Sequence, residues 1–144
     1  MKITHNVDID ASIDDVWNTT IDIGSWPEWN SNVNKVIKGD DKFEIGSSAV
    51  IMQRGLPPTS WVVSKIEDKK EFTWEGKVYG INMSATHTLE AKGKLVSNRL
   101  TINAEGFLVY LLWPILRKSF HESLEKENSD LKRFLENEFF EGQS

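Results

Sequence analysis

The first thirty residues change from an alternating pattern to a helical one. From Lys2 to Ile9, apolar and polar residues alternate, which predicts a half-buried strand. Ser12, followed by Asp15 three residues later, resembles a capping box and predicts the start of a short helix. That helix should end at Gly24, and Trp26-Pro27-Glu28-Trp29 predicts one further helical turn. We therefore expect one strand followed by two short helices.

The middle of the chain consists of short strand-like segments separated by turn residues. This spacing is typical of an antiparallel meander, in which each strand pairs with the next along the chain. Together with the first strand, six such segments make a sheet of seven. We predict them at about Val33 to Lys38, Ser47 to Arg54, Thr59 to Glu67, Glu71 to Glu75, Asn82 to Ala91 and Ser97 to Glu105.

After Gly106, apolar residues recur every three, four or seven positions, which predicts one long amphipathic helix to about Glu138. Its apolar stripe needs a partner of similar length, and only the concave face of the sheet offers one. The sequence thus predicts an α+β fold in which a curved antiparallel sheet wraps around a long C-terminal helix. The stripe contains Leu112, Leu116, Phe120, Leu124, Leu131, Phe134 and Leu135.

Three stretches of the sequence are similar to a known family. They are Ile9 to Trp17 with the following Asp22, the Trp26 to Trp29 pair, and Asp130 to Glu136 near the end. Ser12 stands where the family often has proline, although serine caps a helix equally well. The chain resembles the helix-grip (SRPBCC) superfamily of START lipid-transfer domains, pollen-allergen-type proteins and polyketide cyclases/dehydrases. The resemblance covers nearly the whole chain and implies one START-like domain over 1–144.

Composition excludes several kinds of chemistry. The chain has no cysteine, and its net charge is −5. It therefore lacks a thiol nucleophile, and it lacks the excess of basic residues that nucleic-acid binding requires. The histidines at 5, 87 and 121 do not have the spacing of metal ligands, and no glycine-rich phosphate loop is present. We expect neither a metal nor a cofactor.

No segment of the sequence indicates export or membrane insertion. The N-terminus lacks the apolar core of a signal peptide. The longest apolar run, Phe107 to Leu116, is about half of the ~20 residues that a membrane-spanning helix needs. The sequence therefore predicts a cytoplasmic protein without stable membrane insertion.

Three connections predicted at the same end of the sheet are apolar. They are Gly55 to Pro58, Gly76 to Ile81 and Phe107 to Trp113, whereas the loops at the other end are charged. Exposed apolar loops often mark a binding site, so we interpret them as the mouth of a cavity between sheet and helix. The cavity entrance of the resembled family lies at this end too. Alternatively, the loops pack on one another as a closed plug, or their rim contacts a membrane surface or another protein, including a second copy of the chain.

Two polar residues interrupt the predicted apolar surfaces. His87 lies between Ala85 and Leu89 on an inward strand face, where it could contact a ligand, act as an acid or base, or be satisfied by a neighbouring side chain or water. Glu127 falls near the middle of the helical stripe, between Leu124 and Leu131, unless a bend lets it reach solvent.

These patterns define a candidate ligand site. Strand alternation, the rim and the helix stripe contribute aromatic and apolar side chains, although the tryptophans could equally be ordinary core residues. The candidate ligand-binding residues are Trp61, Trp74, Tyr79, Met83, His87, Tyr110, Trp113, Phe120 and Glu127.

The function predicted from this site is the binding of a small hydrophobic or amphipathic molecule, such as a lipid, polyketide or aromatic compound. A second hypothesis is an enzyme of the polyketide cyclase/dehydrase type, in which His87 or Glu127 moves a proton on a bound polycarbonyl chain. A third is an interaction module, for instance a homodimer. The sequence contains no signature that decides whether a reaction is catalysed.

Overall fold

In the computed structural model, which describes residues 1–141, a seven-stranded sheet packs against a long helix. Side chains are described as far as Asn137. The strands are β1 (Lys2–Ile9), β2 (Val33–Lys38), β3 (Ser48–Gln53), β4 (Thr59–Glu67), β5 (Glu71–Val78), β6 (Ile81–Lys92) and β7 (Leu95–Glu105). The helices are α1 (Ile13–Ile21), α2 (Trp26–Trp29) and α3 (Phe107–Glu141), with a 3-10 turn at Ile23–Ser25.

The sheet is antiparallel throughout, with the strand order β1-β7-β6-β5-β4-β3-β2. Strands β2 to β7 follow the predicted meander, and β1 joins its far edge by pairing with β7. The sheet curves around α3, and the two short helices lie between β1 and β2 in the chain. The predicted helix-grip fold is confirmed.

Helix α1 begins where the capping pattern predicts. The backbone N–H of Asp15 donates a hydrogen bond of 3.1 Å to Oγ of Ser12, which satisfies one of the free donors of the first turn. Val16 and Trp17 are buried on its inner side. Serine therefore caps this helix without the proline that is frequent in the resembled family.

The prediction of a six-residue loop between β5 and β6 was wrong. Val78 still pairs with Ile81, so only Tyr79 and Gly80 form the turn. Both have positive φ angles, 51° and 78°, as a type I′ turn requires. Such a turn matches the twist of its strands, and the sheet can therefore continue to its tip.

The prediction of a loop at Phe107 to Trp113 was also wrong, because α3 begins at Phe107 directly after β7. Gly106 has a φ of 134°, which lets the chain turn from strand into helix within one residue. The backbone N–H of Val109 then donates to the carbonyl of Gly106 at 3.2 Å. Pro114 lies inside the helix and donates no backbone hydrogen bond, yet the helix continues past it.

A buried group of polar side chains joins α3 to the edge of the sheet. Nδ2 of Asn98 in β7 donates to Oδ1 of Asn128 at 2.7 Å. Nδ2 of Asn128 lies 2.8 Å from Nδ1 of His5 and donates to the His5 carbonyl at 3.1 Å. Asn98 and Asn128 are completely buried. This network fixes both the position of α3 along β1 and its rotation about its own axis.

We predict that Asn128→Ala lowers the free energy of unfolding by about 2 to 4 kcal/mol, because it leaves buried polar groups of Asn98 and His5 without a partner. Urea denaturation measures this loss. Asn137→Ala is the matched control, since Asn137 is exposed on the same helix and reports the effect of alanine on helix propensity alone. Equal effects of the two substitutions would contradict a structural role for the Asn128 network.

Candidate functional site

A small cavity lies between α3 and the concave face of the sheet. Its volume is about 60 Å³, less than the ~150 Å³ that accommodates benzene in a protein core. Asn32, Gln53 and Ser123 are partly exposed and form its outer side. It is lined by Trp26, Asn32, Ile51, Gln53, Trp61, Trp74, Ala85, Thr86, His87, Leu100, Thr101, Ile102, Ser123, Leu124 and Glu127. The lining is more polar than the sequence pattern predicts.

Three tryptophans form one wall of the cavity. The rings of Trp61 and Trp74 stack with centroids 5.7 Å apart, and Trp26 meets Trp74 edge-on at 5.3 Å. Trp61 and Trp74 face inward because each occupies an inward position of its strand, β4 or β5. Gly76 makes room for this arrangement, since a Cβ there would lie only 3.0 Å from the Trp61 ring. The wall offers aromatic surfaces to a flat ligand.

The carboxyl group of Glu127 is directed into the structure from α3. Nδ2 of Asn30 donates a hydrogen bond of 2.8 Å to its Oε1. Burial raises the pKa of Glu127 to about 7, the Asn30 hydrogen bond opposes that rise, and the nearby charge of Asp130 adds to it. The inward alternative for Glu127 is therefore correct, and its carboxyl group titrates near neutral pH.

Asn30, the partner of Glu127, is itself held in place. It is completely buried, and its backbone N–H donates to the Trp26 carbonyl at 2.7 Å. Its Oδ1 accepts from the Asn32 N–H at 3.0 Å, and Nδ2 of Asn32 donates to the Ser123 carbonyl at 3.0 Å. These hydrogen bonds connect the segment between α2 and β2 to α3 at two positions, Glu127 and Ser123. The carboxyl group has a fixed donor.

His87 reaches the same cavity from β6. It is buried, its ring stacks on Phe72 with centroids 4.4 Å apart, and Trp26 lies at 5.8 Å. Burial lowers its pKa to about 3, so the imidazole is neutral at physiological pH. Among the side chains described up to residue 137, none hydrogen-bonds to this ring. A neighbouring side chain therefore does not satisfy it, and the alternative in which water does so stays a prediction. Its nitrogens remain available to water or a ligand.

Glu127 and His87 together give the cavity a defined chemistry. A carboxyl group with a pKa near 7 can accept or donate a hydrogen bond, and it can take up or release a proton at physiological pH. A neutral imidazole offers one donor and one acceptor. The cavity can therefore orient a hydroxyl or carbonyl group beside an aromatic wall.

The other predicted site residues lie elsewhere. Met83 and Phe120 are buried in the core, Trp113 is half-buried, and Tyr79 and Tyr110 are exposed. None of the five lines the cavity beside Glu127, so that of the nine candidates only Trp61, Trp74, His87 and Glu127 do. For the other five residues, the predicted role in ligand binding stays a prediction.

Sequence reasoning missed several polar residues of the site, among them Asn30, Asn32, Gln53 and Ser123. The first two follow the Trp26 to Trp29 turn, where asparagine commonly serves local turn formation. Gln53 ends a strand, and Ser123 lies on the flank of the helical stripe. Each position has an ordinary structural explanation in the sequence, and only the packing of α3 brings these side chains together.

The predicted apolar mouth is present as a surface, but none of its residues lines the cavity beside Glu127, so the interpretation of this end as the mouth of that cavity was wrong. Tyr79, Phe107 and Tyr110 are 75%, 79% and 73% exposed, so these three side chains are not buried against one another either. Leu111 and Ile115 extend the same apolar surface along the first turns of α3. Within the described residues, no helix combines the length and the hydropathy needed to cross a bilayer.

Residues 1–136 match the model of a protein family described as "Polyketide cyclase / dehydrase and lipid transport". No curated protein matches the chain.

Several solved structures share the fold at low sequence identity. A hypothetical protein from Helicobacter pylori has a TM-score of 0.82 at 12% identity, with 94% of this chain and 88% of that one covered. A START superfamily protein from Mycobacterium smegmatis has a TM-score of 0.74 at 14% identity, with 94% and 97% covered. The di-domain ARO/CYC StfQ of the steffimycin biosynthetic pathway has a TM-score of 0.80 at 10% identity, with 95% and 51% covered. The present chain thus spans about half of StfQ.

We predict that Glu127 makes stability fall as pH rises. Its pKa is about 7 in the folded protein against 4.5 ordinarily, so the folded state keeps a proton that the unfolded state loses. The contribution of Glu127 to the free energy of unfolding is fully present below pH 4.5 and is lost as pH rises from 4.5 through 7. Between about pH 5 and pH 8, the free energy of unfolding measured in urea should fall by about 2 kcal/mol more in the wild type than in Glu127→Gln. Glu122→Gln, an exposed change on the same helix, is the control. Wild-type and Glu127→Gln curves that stay parallel would contradict the burial of this carboxyl group.

His87 makes the stability of the fold decrease as pH falls, whereas Glu127 makes it decrease as pH rises. Because its pKa falls from 6.5 to about 3 on folding, the unfolded state takes up a proton first, and stability is lost as pH falls below 6.5. Between about pH 6.5 and pH 4, we predict that the free energy of unfolding falls by about 3 kcal/mol less in His87→Leu than in the wild type. His121→Leu, at an exposed histidine, should follow the wild type. Unfolding followed by tryptophan fluorescence at each pH tests this difference, and equal acid sensitivity of both variants would refute it.

Proposed function

Because the chain belongs to the polyketide cyclase/dehydrase and lipid-transport family, we propose that it binds a small amphipathic molecule in the cavity between the sheet and α3. One observation carries this proposal: the carboxyl group of Glu127, held by Asn30 at 2.8 Å, lies at a cavity with a tryptophan wall. Burying this carboxyl group costs stability, and the single hydrogen bond from Asn30 offsets only part of that cost. A ligand that uses the carboxyl group would account for its presence there.

Among lipids, polyketides and aromatic compounds, the geometry favours an aromatic molecule of one ring. The cavity of about 60 Å³ excludes a long acyl chain, and its wall of Trp26, Trp61 and Trp74 suits a flat ring. Even a single ring requires some outward movement of a lining side chain such as Leu124, because the protein cavity known to accommodate benzene measures ~150 Å³. Part of the ligand can project between Gln53 and Ser123, where the cavity is partly exposed.

Within this proposal, Glu127 and His87 fix the orientation of the ligand. A ligand hydroxyl group donates to the Glu127 carboxylate, and a second polar group pairs with the neutral His87 ring. Asn30 acts as a positioning residue, because its hydrogen bond aims the carboxylate at the cavity. Specificity would thus come from few polar contacts in a largely aromatic environment.

The pKa of Glu127 favours one alternative function, catalysis of the cyclase/dehydrase type. A group with a pKa of about 7 is suited to general acid-base catalysis at neutral pH. Glu127 would remove a proton from a carbon between two carbonyl groups of a bound polycarbonyl chain. That carbon would form a bond to another carbonyl carbon of the same chain, and the oxygen of the attacked carbonyl would take the proton back from Glu127 to become a hydroxyl group. His87 would hold a carbonyl group by hydrogen bonding. Such a chain needs a wider cavity than the binding function does.

We predict that p-cresol binds in the cavity beside Trp61 and Glu127. In ¹H–¹⁵N spectra, the indole signals of Trp61 and Trp26 should shift on titration, since both rings line this cavity. Glu127→Gln should weaken binding about tenfold, through loss of a charge-assisted hydrogen bond. Ser123→Phe should abolish binding by filling the cavity.

Ser119→Phe is the matched control, because Ser119 is exposed one turn earlier on α3 and does not line the cavity. It should leave the affinity for p-cresol unchanged. If p-cresol fails to bind saturably, or binds Ser123→Phe as tightly as wild type, the proposed site is wrong. Native mass spectrometry of freshly purified protein provides an independent search for a retained ligand.

The catalytic alternative requires turnover of a polycarbonyl substrate that depends on Glu127. We expect Glu127→Gln to lower kcat about a hundredfold if this carboxyl group is the general base. His87→Gln should affect KM more than kcat. Cyclisation of a linear poly-β-ketone, followed by chromatography, tests the assignment. Turnover that is unaffected by both substitutions would exclude it.

A further inference from the structure

A second and larger cavity lies at the corner between α1 and the β2–β3 connection. Its volume is about 260 Å³, well above the ~150 Å³ that accommodates benzene. It lies between the end of α1, the 3-10 turn and the segment from Lys38 to Ser48. This corner is remote from the apolar surface around Tyr79 and Phe107, and the predicted site did not include it.

The inner wall of this cavity is aromatic. Phe43 and Trp74 line it, with ring centroids 6.1 Å apart and planes inclined at 72°. Trp74 is the residue that both cavities share, so its ring separates the second cavity from the one at Glu127. Phe43 is half-buried in the β2–β3 connection and also packs edge-on against Phe72 at 4.9 Å. The wall is held by the same aromatic cluster that supports His87.

The outer rim of the cavity carries charges of both signs. Lys38 and Lys42 lie on the rim with Asp22, Asp40 and Asp41. In the described part of the chain neither lysine forms an ion pair, and Asp40 accepts the backbone N–H of Ser48 at 2.9 Å. A rim of mixed charge disfavours a strongly anionic or cationic ligand. It suits hydroxyl groups, which accept from lysine and donate to carboxylate.

We infer that this second cavity is a binding site for a planar aromatic molecule of two rings that carries a hydroxyl group. The rings lie in the cavity against the side chains of Phe43 and Trp74, and the hydroxyl group stays at the charged rim. A two-ring molecule is too large for the 60 Å³ cavity beside Glu127 but not for the 260 Å³ corner cavity. The inference stands apart from the proposed function, since it concerns another cavity and uses neither Glu127 nor His87.

Titration with 2-naphthol tests this site through the tryptophan signals. The indole signal of Trp74 should shift, while that of Trp61, which lines only the smaller cavity, should stay in place. Asn18→Phe places a ring at the edge of the second cavity from an exposed position on α1, and it should weaken binding about tenfold. Phe43→Leu, which removes one aromatic wall, should weaken it as well.

Ser123→Phe is the matched control, because it introduces the same side chain beside the smaller cavity only. It should leave the 2-naphthol affinity within about twofold of wild type. A Trp61 shift with loss of binding in Ser123→Phe would put 2-naphthol in the smaller cavity, which overturns this inference and leaves the proposed function intact. Unchanged affinity in both Asn18→Phe and Phe43→Leu, or no saturable binding to wild type, would also overturn it.

Discussion

The rotation of α3 about its own axis is the constraint on which the site depends. Asn128 is fixed by buried hydrogen bonds to β1 and β7, and Glu127 precedes it directly on the helix. Successive side chains on a helix point about 100° apart, so anchoring Asn128 toward one edge of the sheet turns Glu127 toward Asn30. A structural contact thus sets the direction of the functional carboxyl group. Helix α3 thus carries the structural anchor, Asn128, directly next to the candidate functional residue, Glu127.

The aromatic cluster gives the two polar groups of the cavity their unusual properties. Trp26 and Phe72 pack against His87, and the burial of its ring lowers its pKa and keeps the imidazole neutral. The same low-polarity environment raises the pKa of Glu127, and the single hydrogen bond from Asn30 offsets only part of that rise. At neutral pH the imidazole of His87 is thereby uncharged, and the carboxyl group of Glu127 is about half protonated. This is an arrangement for recognising neutral polar groups.

The sequence correctly predicted the features that follow from a regular spacing of apolar and polar residues. Alternation located β1, β2 and β4 to the residue, and the helical period placed Glu127 on the inner face of α3. It failed where burial depends on distant neighbours. The apolar run at Phe107 was assigned to a loop because no local signal distinguishes an exposed apolar helix from a covered loop. Asn30 was missed since its partner lies 97 residues further along the chain.

The pairing of β1 with β7 has a consequence for how this chain folds. Lys2 pairs with Asn103, and β1 also packs against α3, so the first strand has its main partners at the far end of the sequence. During synthesis, β1 must wait until β7 has left the ribosome before it can join the sheet. Contacts of such high sequence separation slow folding. The β2 to β7 meander, whose strands pair with their immediate neighbours, can assemble first and provide the edge on which β1 and α3 close the domain.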